Sequence, residues 1–553
     1  MIRPLLAALL LCISAGATAT LRAQGPPPPP PPVPPPPVPP GNPITLAKAN
    51  LGKVLFWDEQ LSSTRTVACG TCHIPSKGGS DPRTVSLAAI SQNPGFDGVF
   101  GTADDVAGSL GVVANGATGV MTKTAPFQFR EQVTSRKAPT MINAAFDQSL
   151  FWDGRADSSF EDPLTNAVVL PNIAALESQA AGPPASSVEM GHTGRDWNDV
   201  ATRVATTSEP LALATNLPAA LSTWINGRTY PLLFNEAFGS ASVTPTRIIE
   251  AIATYERTLI SDQAPVDVPG GLTPQQANGF AIFNGQGRCN ICHGGPLFTD
   301  NNFHNVGVRP STEDIGRATV TGNSNDNGKM KTPGLRNVAL RAPFFHNGSK
   351  ATLADVVDFY NRGGDFHDNQ DPAIIPLGLS ATQRANLVAF LGALTDARVQ
   401  NQTAPFDRPT LYRESSHVPT TLRTGAAGSG GFVPRWVAFD PPYVGNERFS
   451  FAIADGRGSA TTLLALDTAL SAPGTMVAGV PFHLAGSASL LVTALGSMSD
   501  SGAGQGYLSY VVALANNPAL VGQSIFAQAF TVDAGAAAGL AATNALQITF
   551  FSL

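Results

Sequence analysis

Two pentapeptides, Cys69-Gly-Thr-Cys72-His73 and Cys289-Asn-Ile-Cys292-His293, constrain this chain more than any other feature. CxxCH is the spacing at which two thiols form thioethers to the vinyl groups of one haem while the adjacent histidine ligates its iron. A zinc half-site can share the spacing of a single pentapeptide. Here the two motifs use every cysteine except Cys12, which lies in an N-terminal apolar stretch, and leave none for another metal site. The chain is expected to fold around two covalent c-type haems.

The ends of the chain speak to compartment. Residues 1–24 have the pattern of an export signal, with Arg3, an apolar run from Leu5 to Ile13, and small-residue cleavage sites at Ala17 to Ala19 or Leu21 to Ala23. Covalent haem attachment in bacteria takes place outside the cytoplasmic membrane, so a periplasmic, secreted or cell-surface protein is expected. Residues 25–42 form a proline-rich spacer, a composition that holds a polyproline II conformation and builds no core. No later stretch reaches the ~18 apolar residues of a membrane helix. A net charge of −6 and a charged content of 13% argue against nucleic-acid binding. They leave room for a local docking face for a small redox protein.

Between residues 43 and 400 the chain reads as mainly helical, with few strands. Leu46 to Phe56 is expected to form a helix just before the first motif. Ile248, Ile252, Tyr255 and Leu259 fall on one helical face behind a cap at Thr246. Thr273-Pro274 opens a helix toward the second motif, and Ser380 with Gln383 forms a capping box for another. Thr352 and Asp355 form a further box, after which Leu353, Val356, Val357 and Tyr360 share a face up to a stop at Gly363-Gly364. Beyond 401 the composition changes. From Phe451 onward only five charged side chains occur, and Phe449, Phe451 and Ile453 alternate with small residues, as do Leu546, Ile548 and Phe550. That period of two predicts a separate all-β domain of sandwich type over 401–553, in which the isolated His417 and His483 serve packing or surface roles.

The sixth ligand of each iron decides between electron carriage and chemistry. No histidine lies between His73 and His192, so Met121 and Met141 are the thioethers within reach of the first motif; each also reads as a core or loop residue. For the second, Tyr360 stands at the end of an apolar helical face and reads equally as core packing.

Residues 48–398 resemble the bacterial dihaem cytochrome c peroxidase and MauG-like family. The resemblance rests on LGKVLFWDEQLSS, CGTCH, RKAPTMINAAF, FWDGRA, ESQAAGPPASSVEM and YERTL. It continues through CNICHGGPLFTDNNFHNVGV, DIGR, KTPGLRNVALRAPFFHNGS and TLADVVDFYNRGG. It implies two cytochrome c-like domains, 43–265 with the peroxide pocket and 266–400 with the electron-transfer haem. It makes His73 and His293 the proximal ligands and Trp152 the tryptophan between the haems. Gln179, Pro183 and Glu189 match the distal pocket, with Glu189 as the carboxylate that shuttles protons to and from peroxide.

Three departures refine this. The loop histidine that caps the resting first haem in some relatives is absent, the position matched by spacing being near Phe129, so the first haem is expected to be open. The family's methionine at the second haem aligns with Tyr360, as in the MauG-like branch, and an oxygen donor there lowers the potential. The calcium carbonyls match Arg341 and Pro343, but the calcium asparagine is Lys137, whose ammonium cannot ligate a cation; calcium stays open. Phe160 to Ala175 reads as an insertion near the pocket. His304 and His346 are expected to organise the second haem pocket, His192 to be a pocket or loop residue, and Arg336 a propionate partner or a structural residue.

The resemblance implies reduction of H2O2 to water with electrons from a small c-type cytochrome or cupredoxin. The alternatives are a MauG-like oxidase of a protein or organic substrate, a non-enzymatic dihaem electron carrier, and a rubber-oxygenase-like dioxygenase. Relatives of the last kind do not rely on the glutamate retained here. The C-terminal domain offers no chemistry, only a surface for docking to another protein or to the cell surface.

Overall fold

The computed structural model describes residues 30–553, so the export signal expected over 1–24 and the first prolines of the spacer lie outside the described residues. The spacer's end is anchored. Asn42 is fully buried, donating to Glu177 Oε1 and to the Glu250 carbonyl while accepting from Lys48 Nζ. Helix α1 (Leu46–Trp57) follows at once, with Thr45 accepting the Lys48 N–H as its cap. It packs in one core with α2 (Ala175–Ala180) and α3 (Pro245–Glu256). Leu51, Val54, Leu55, Ile248 and Ile252 are all sealed from solvent, each worth about 1.5–3 kcal/mol of transfer free energy. Gly52 permits the close crossing, since a β-carbon there would come within 1.8 Å of the Ala251 carbonyl oxygen.

The cap of α3 is Thr244, two residues earlier than expected. Its hydroxyl accepts the Arg247 N–H at 3.3 Å, and Pro245 occupies the first turn, where no N–H is needed. Thr246 instead donates to Asp162 Oδ2 at 2.6 Å. Arg257, just past α3, grips Glu177 of α2 through two bonds of 2.7 and 2.6 Å with both side chains buried.

A second core holds α4 (Pro274–Asn284), α5 (Leu353–Asn361) and α6 (Ala381–Gly392). All three begin where expected: α5 and α6 at the capping boxes read from Thr352 and Ser380, and α4 at Thr273-Pro274, where Thr273 and Gln276 form a box not read from the sequence. Phe280 and Phe283 of α4 lie 4.9 and 5.2 Å from the Phe390 ring of α6. The strands in this part are short two-stranded ladders. One joins β1 (Leu110–Val113) to β2 (Glu131–Val133), and another, Phe160–Glu161 with Val168–Leu170, lies within the stretch read as an insertion.

After Asp396 the chain returns to the first core, where Val399, Phe406 and Leu411 pack. Strands resume at β3 (Thr420–Leu422), β4 (Arg435–Val437), β5 (Phe449–Gly456) and β6 (Thr461–Asp467). They continue with β7 (Leu491–Ser497), β8 (Gly506–Val512), β9 (Ser524–Val532), β10 (Leu540–Ala542) and β11 (Ala545–Thr549). These form two antiparallel sheets, β4-β5-β8 and β7-β6-β9-β11-β3, with β10 added to β9. Trp436, Phe449 and Ile453 of the smaller sheet share a core with Leu464, Ala529, Leu546 and Ile548 of the larger. The expected alternation fails in β5 for a physical reason. Ser450, Ala452 and Ala454 are buried as well, because the smaller sheet's other face packs on residues 113–129. His417 stacks on Phe551 at 4.4 Å, and His483 Nε2 lies 2.8 Å from the Thr424 carbonyl oxygen; both are packing residues. Among the described residues no helix is long and apolar enough to cross a membrane.

Candidate active site

Cys69 and Cys72 open and close a single helical turn, and His73 follows it. His73 Nδ1 lies 3.0 Å from the Gly79 carbonyl oxygen; His293 Nδ1 lies 2.9 Å from that of Phe298. A proton on Nδ1 satisfies each contact and leaves Nε2 free to ligate. Burial lowers both imidazole pKa values, that of His293 to about 4, so both rings are held neutral, the form that binds metal.

Each motif lines a cavity, of about 280 Å³ at the first and about 200 Å³ at the second. Among the described residues the four cysteines, all in the two motifs, form no disulfide. Two free thiols and a histidine with an available Nε2 beside an apolar-walled cavity are the donor set of a haem, so the residues fit the group at both places.

In the first cavity the structure brings together Gln179, Pro183 and Glu189. Leu176, Gln179 and Ala180 recur at helical spacing on one face of α2 and line it, while Glu177 points to Arg257 behind. Glu189 is half-buried; burial raises its carboxyl pKa against the opposing pull of the Ser186 hydroxyl and Arg155. Two lining residues were missed by sequence reasoning. Arg155 holds its guanidinium 3.5 Å from the Phe151 ring centroid. Glu256 is buried, has its Oε2 unpartnered, and is pushed by burial up to about 8. Arg155 lies in the stretch FWDGRA and Glu256 in YERTL, and their place in these motifs was the one signal available.

The two methionines within sequence reach of the first motif take different positions. Met121 is buried against Val437 and Ala452 of the C-terminal sheet, away from the cavity. Met141 lines the cavity, but its sulfur packs at Gly79, the residue that holds His73, and so on the histidine's own side. Phe129 is also turned out of the cavity, its ring 4.5 Å from that of Tyr507. His192 lies outside the cavity, bonded to Asp199 at 2.8 Å.

The second cavity is lined by Leu353, Val356, Val357 and Tyr360, the face read from the sequence, together with His304 and His346. Burial pushes the Tyr360 phenol well above its ordinary range. Arg336 is taken up by Asp267, at 2.8 and 2.7 Å, and by the Pro296 carbonyl, and lines neither cavity. Trp152 alone of the named site residues lines both cavities.

A third, smaller cavity is lined by Trp152, Lys137, Arg341 and Pro343. Lys137 Nζ donates to Ser80 Oγ at 2.5 Å and is buried. Burial, with Arg341 beside it, lowers its pKa to about 7. Two buried cationic side chains in this place do not fit a calcium site, which wants oxygen donors of negative charge.

A haem cavity at each CxxCH motif and a tryptophan on the boundary define a dihaem oxidoreductase. The profile of the di-haem cytochrome c peroxidase family matches residues 46–269. The methylamine utilization protein MauG of Methylophilus methylotrophus is 30% identical over 373 residues, covering 66% of this chain and 87% of that protein. Cytochrome-c peroxidase IdrP1 of Pseudomonas sp. (strain SCT) is 28% identical over 423 residues, covering 70% and 89%. Among solved structures, a MauG-like protein associated with microbial copper homeostasis superposes with a TM-score of 0.49 at 24% identity, covering 68% of this chain and 97% of that one. The chain belongs to the MauG and dihaem cytochrome c peroxidase family and is an oxidoreductase that uses haem.

Proposed function

We propose that this protein is exported and reduces H2O2 to water with electrons from a small c-type cytochrome or cupredoxin. Two haems are attached through Cys69 and Cys72 and through Cys289 and Cys292, with His73 and His293 as ligands. The observation that carries the reading is the division of residues between the cavities: Glu189 lines the first alone, Tyr360 the second alone, and Trp152 both. A haem in the first cavity supplies the iron that takes peroxide and the electrons that break its O–O bond.

The chain's own residues handle protons and position. Glu189 accepts a proton from the incoming peroxide and returns it to the departing oxygen, a task for a carboxyl at the cavity wall whose pKa burial has raised. Gln179 and Pro183 shape the approach. Trp152 offers an indole on the path between the cavities, its ring held by a bond from Nε1 to the Lys137 carbonyl. Overall, one peroxide, two electrons and two protons give two waters.

A second reading, oxidation of a protein or organic substrate in the MauG manner, is favoured by Tyr360, an oxygen donor on the wall of the second cavity. Steady-state peroxide consumption by the as-isolated protein, supplied with a reduced small c-type cytochrome, separates the two. Donor-coupled turnover without prior reduction is expected. Peroxide consumption without donor oxidation would overturn the peroxidase reading in favour of substrate oxidation.

A further inference from the structure

The β4-β5-β8 sheet is covered on both faces, and what covers the second face also touches the first cavity. Along β5 and β8 the residues facing away from the sandwich core are Ser450, Ala452 and Ala454, and Tyr507, Ser509 and Val511; Ser450 pairs with Val511 and Ala452 with Ser509, and the register shifts beyond Ile453. Their small size on β5 leaves room for Met121 and Phe129, which are buried there with Val113 and Val437. The polar groups of the covering loop find partners on the sheet. Ser509 Oγ accepts the Met121 N–H at 2.9 Å, Ser450 Oγ donates to the Gly119 carbonyl at 2.9 Å, and Arg435 donates to that of Phe129 at 3.3 Å. Lys123 pairs with Asp500 at 2.9 Å, and Arg413 with Glu131 at 2.9 Å.

That loop joins β1 to β2, and the inner side of the same hairpin holds the backbone of the pocket acid. Val112 N donates to the Val188 carbonyl at 3.3 Å, and Gln132 Nε2 to that of Ser187 at 2.6 Å. Gly111 lies so close that a β-carbon would stand 1.9 Å from the Val188 oxygen and 2.8 Å from the Glu189 Cα. Ser109 and Thr134, at the hairpin's base, line the first cavity beside Glu189.

We infer that the C-terminal β region is a clamp for the first cavity, with Tyr507 and Ser509 as positioning residues that act on Glu189 through the β1–β2 hairpin. The sheet grips the hairpin's outer loop, and the hairpin in turn fixes residues 187–189. A short two-stranded ladder has little stability of its own, so a rigid backing is what keeps the Val112–Val188 contact formed. The clamp rests on geometry alone; its effect on catalysis rests on the proposed role of Glu189.

The test uses the full haem-loaded chain with Tyr507→Ala, Tyr507→Phe and Ser509→Ala. Amide hydrogen exchange is followed at 110–113 and 186–190, and at 353–361 beside the second cavity as the reference. Exchange at the first two segments is expected to rise at least tenfold in Tyr507→Ala and several-fold in Ser509→Ala, with 353–361 unchanged and Tyr507→Phe close to the parent. The peroxide kcat/KM is expected to fall in the same order. Unchanged exchange at 186–190 in both Tyr507→Ala and Ser509→Ala would overturn the clamp, whatever the activity. Should Tyr507→Ala fail to fold, Ser509→Ala with its single lost acceptor decides by the same readout. Raised exchange with no peroxidase activity in the parent protein would leave the clamp standing and sink the proposed function instead.

Discussion

Trp152 and Lys137 are joined by a bond from the indole Nε1–H to the lysine carbonyl, 2.8 Å long, while the Trp152 carbonyl accepts the Lys331 N–H at 2.7 Å. Trp152 is thus tied through its indole to the segment that lines the first cavity and through its backbone carbonyl to Lys331, which lines the second. This is a stiff bridge between two separately built cores.

Replacing Trp152 with phenylalanine removes the Nε1 donor and part of the π surface. Donor-coupled peroxide turnover is expected to fall at least about tenfold, equivalent to ~1.4 kcal/mol of barrier. Stability should drop by only about 1 kcal/mol, the net worth of one hydrogen bond. Turnover with a reduced cytochrome and a denaturant midpoint measured on the same preparation separate the two effects.

Glu189→Gln keeps shape and removes the proton exchange. The expected loss in kcat/KM for peroxide is about 10²–10⁴-fold, the usual contribution of a general acid–base. Haem content and thermal midpoint should match the parent. A loss below threefold would return Glu189 to the status of a wall residue.

Tyr360→Met exchanges an oxygen donor for a soft thioether on the same face of α5. If Tyr360 ligates the second iron, the midpoint potential of that haem rises by on the order of 100 mV or more, within the ~0.8 V span that axial ligands command. Spectroelectrochemical titration reads this directly. An unshifted potential would leave Tyr360 as packing.

The Arg257–Glu177 pair is buried on both sides and joins α3 to α2, whose other face lines the first cavity. Arg257→Ala leaves Glu177 buried without its cation and is expected to cost about 3–5 kcal/mol. The double change Arg257→Met with Glu177→Met should recover most of that in equilibrium unfolding, since the charge no longer needs a partner.

Burial pushes the Glu59 carboxyl up to about 8, against bonds from the Tyr412 and Arg413 N–H groups, and that of Asp440 up to about 7, against the bond from the Ser450 N–H. Folding therefore keeps protons that the unfolded chain releases above its ordinary carboxylate pKa. That contribution to stability is full below pH ~4.5 and is lost as the pH rises through about 7 to 8. The thermal midpoint should decline between pH 5 and pH 9, and Glu59→Gln should flatten the decline. A decline of the same slope in Glu59→Gln would assign it to other groups.

Much of the site was legible because its signals are local. A CxxCH turn is built within five residues, and its histidine is oriented by a carbonyl only five or six residues on. The helices bearing Tyr360 and the second-core aromatics begin at capping boxes that each span four residues. Glu189, Gln179 and Pro183 could be picked by ordered matches to a family, and all three line one cavity. Less was readable where direction mattered. Met121 and Met141 looked equivalent in the sequence, yet one is buried against Ala452 and the other stands beside Gly79, because only packing decides which way an unbranched thioether points. The α3 cap was misplaced by two residues: Thr244 and Thr246 both precede the apolar face, and Thr246 found Asp162 instead.

The sequence by itself determined the two haem-binding turns, the positions of the helices, and the change from helical to β structure in the region after residue 401, since each is set by hydrogen bonds and side-chain periodicity over a few residues. The tertiary structure alone decided that Met121 and Met141 point to different places, and that the small side chains of β5 make room for the loop between β1 and β2. The Met121–Ser509 bond spans 388 residues of chain. No local pattern encodes such a contact, which exists because two apolar faces, each incomplete alone, are removed from water together.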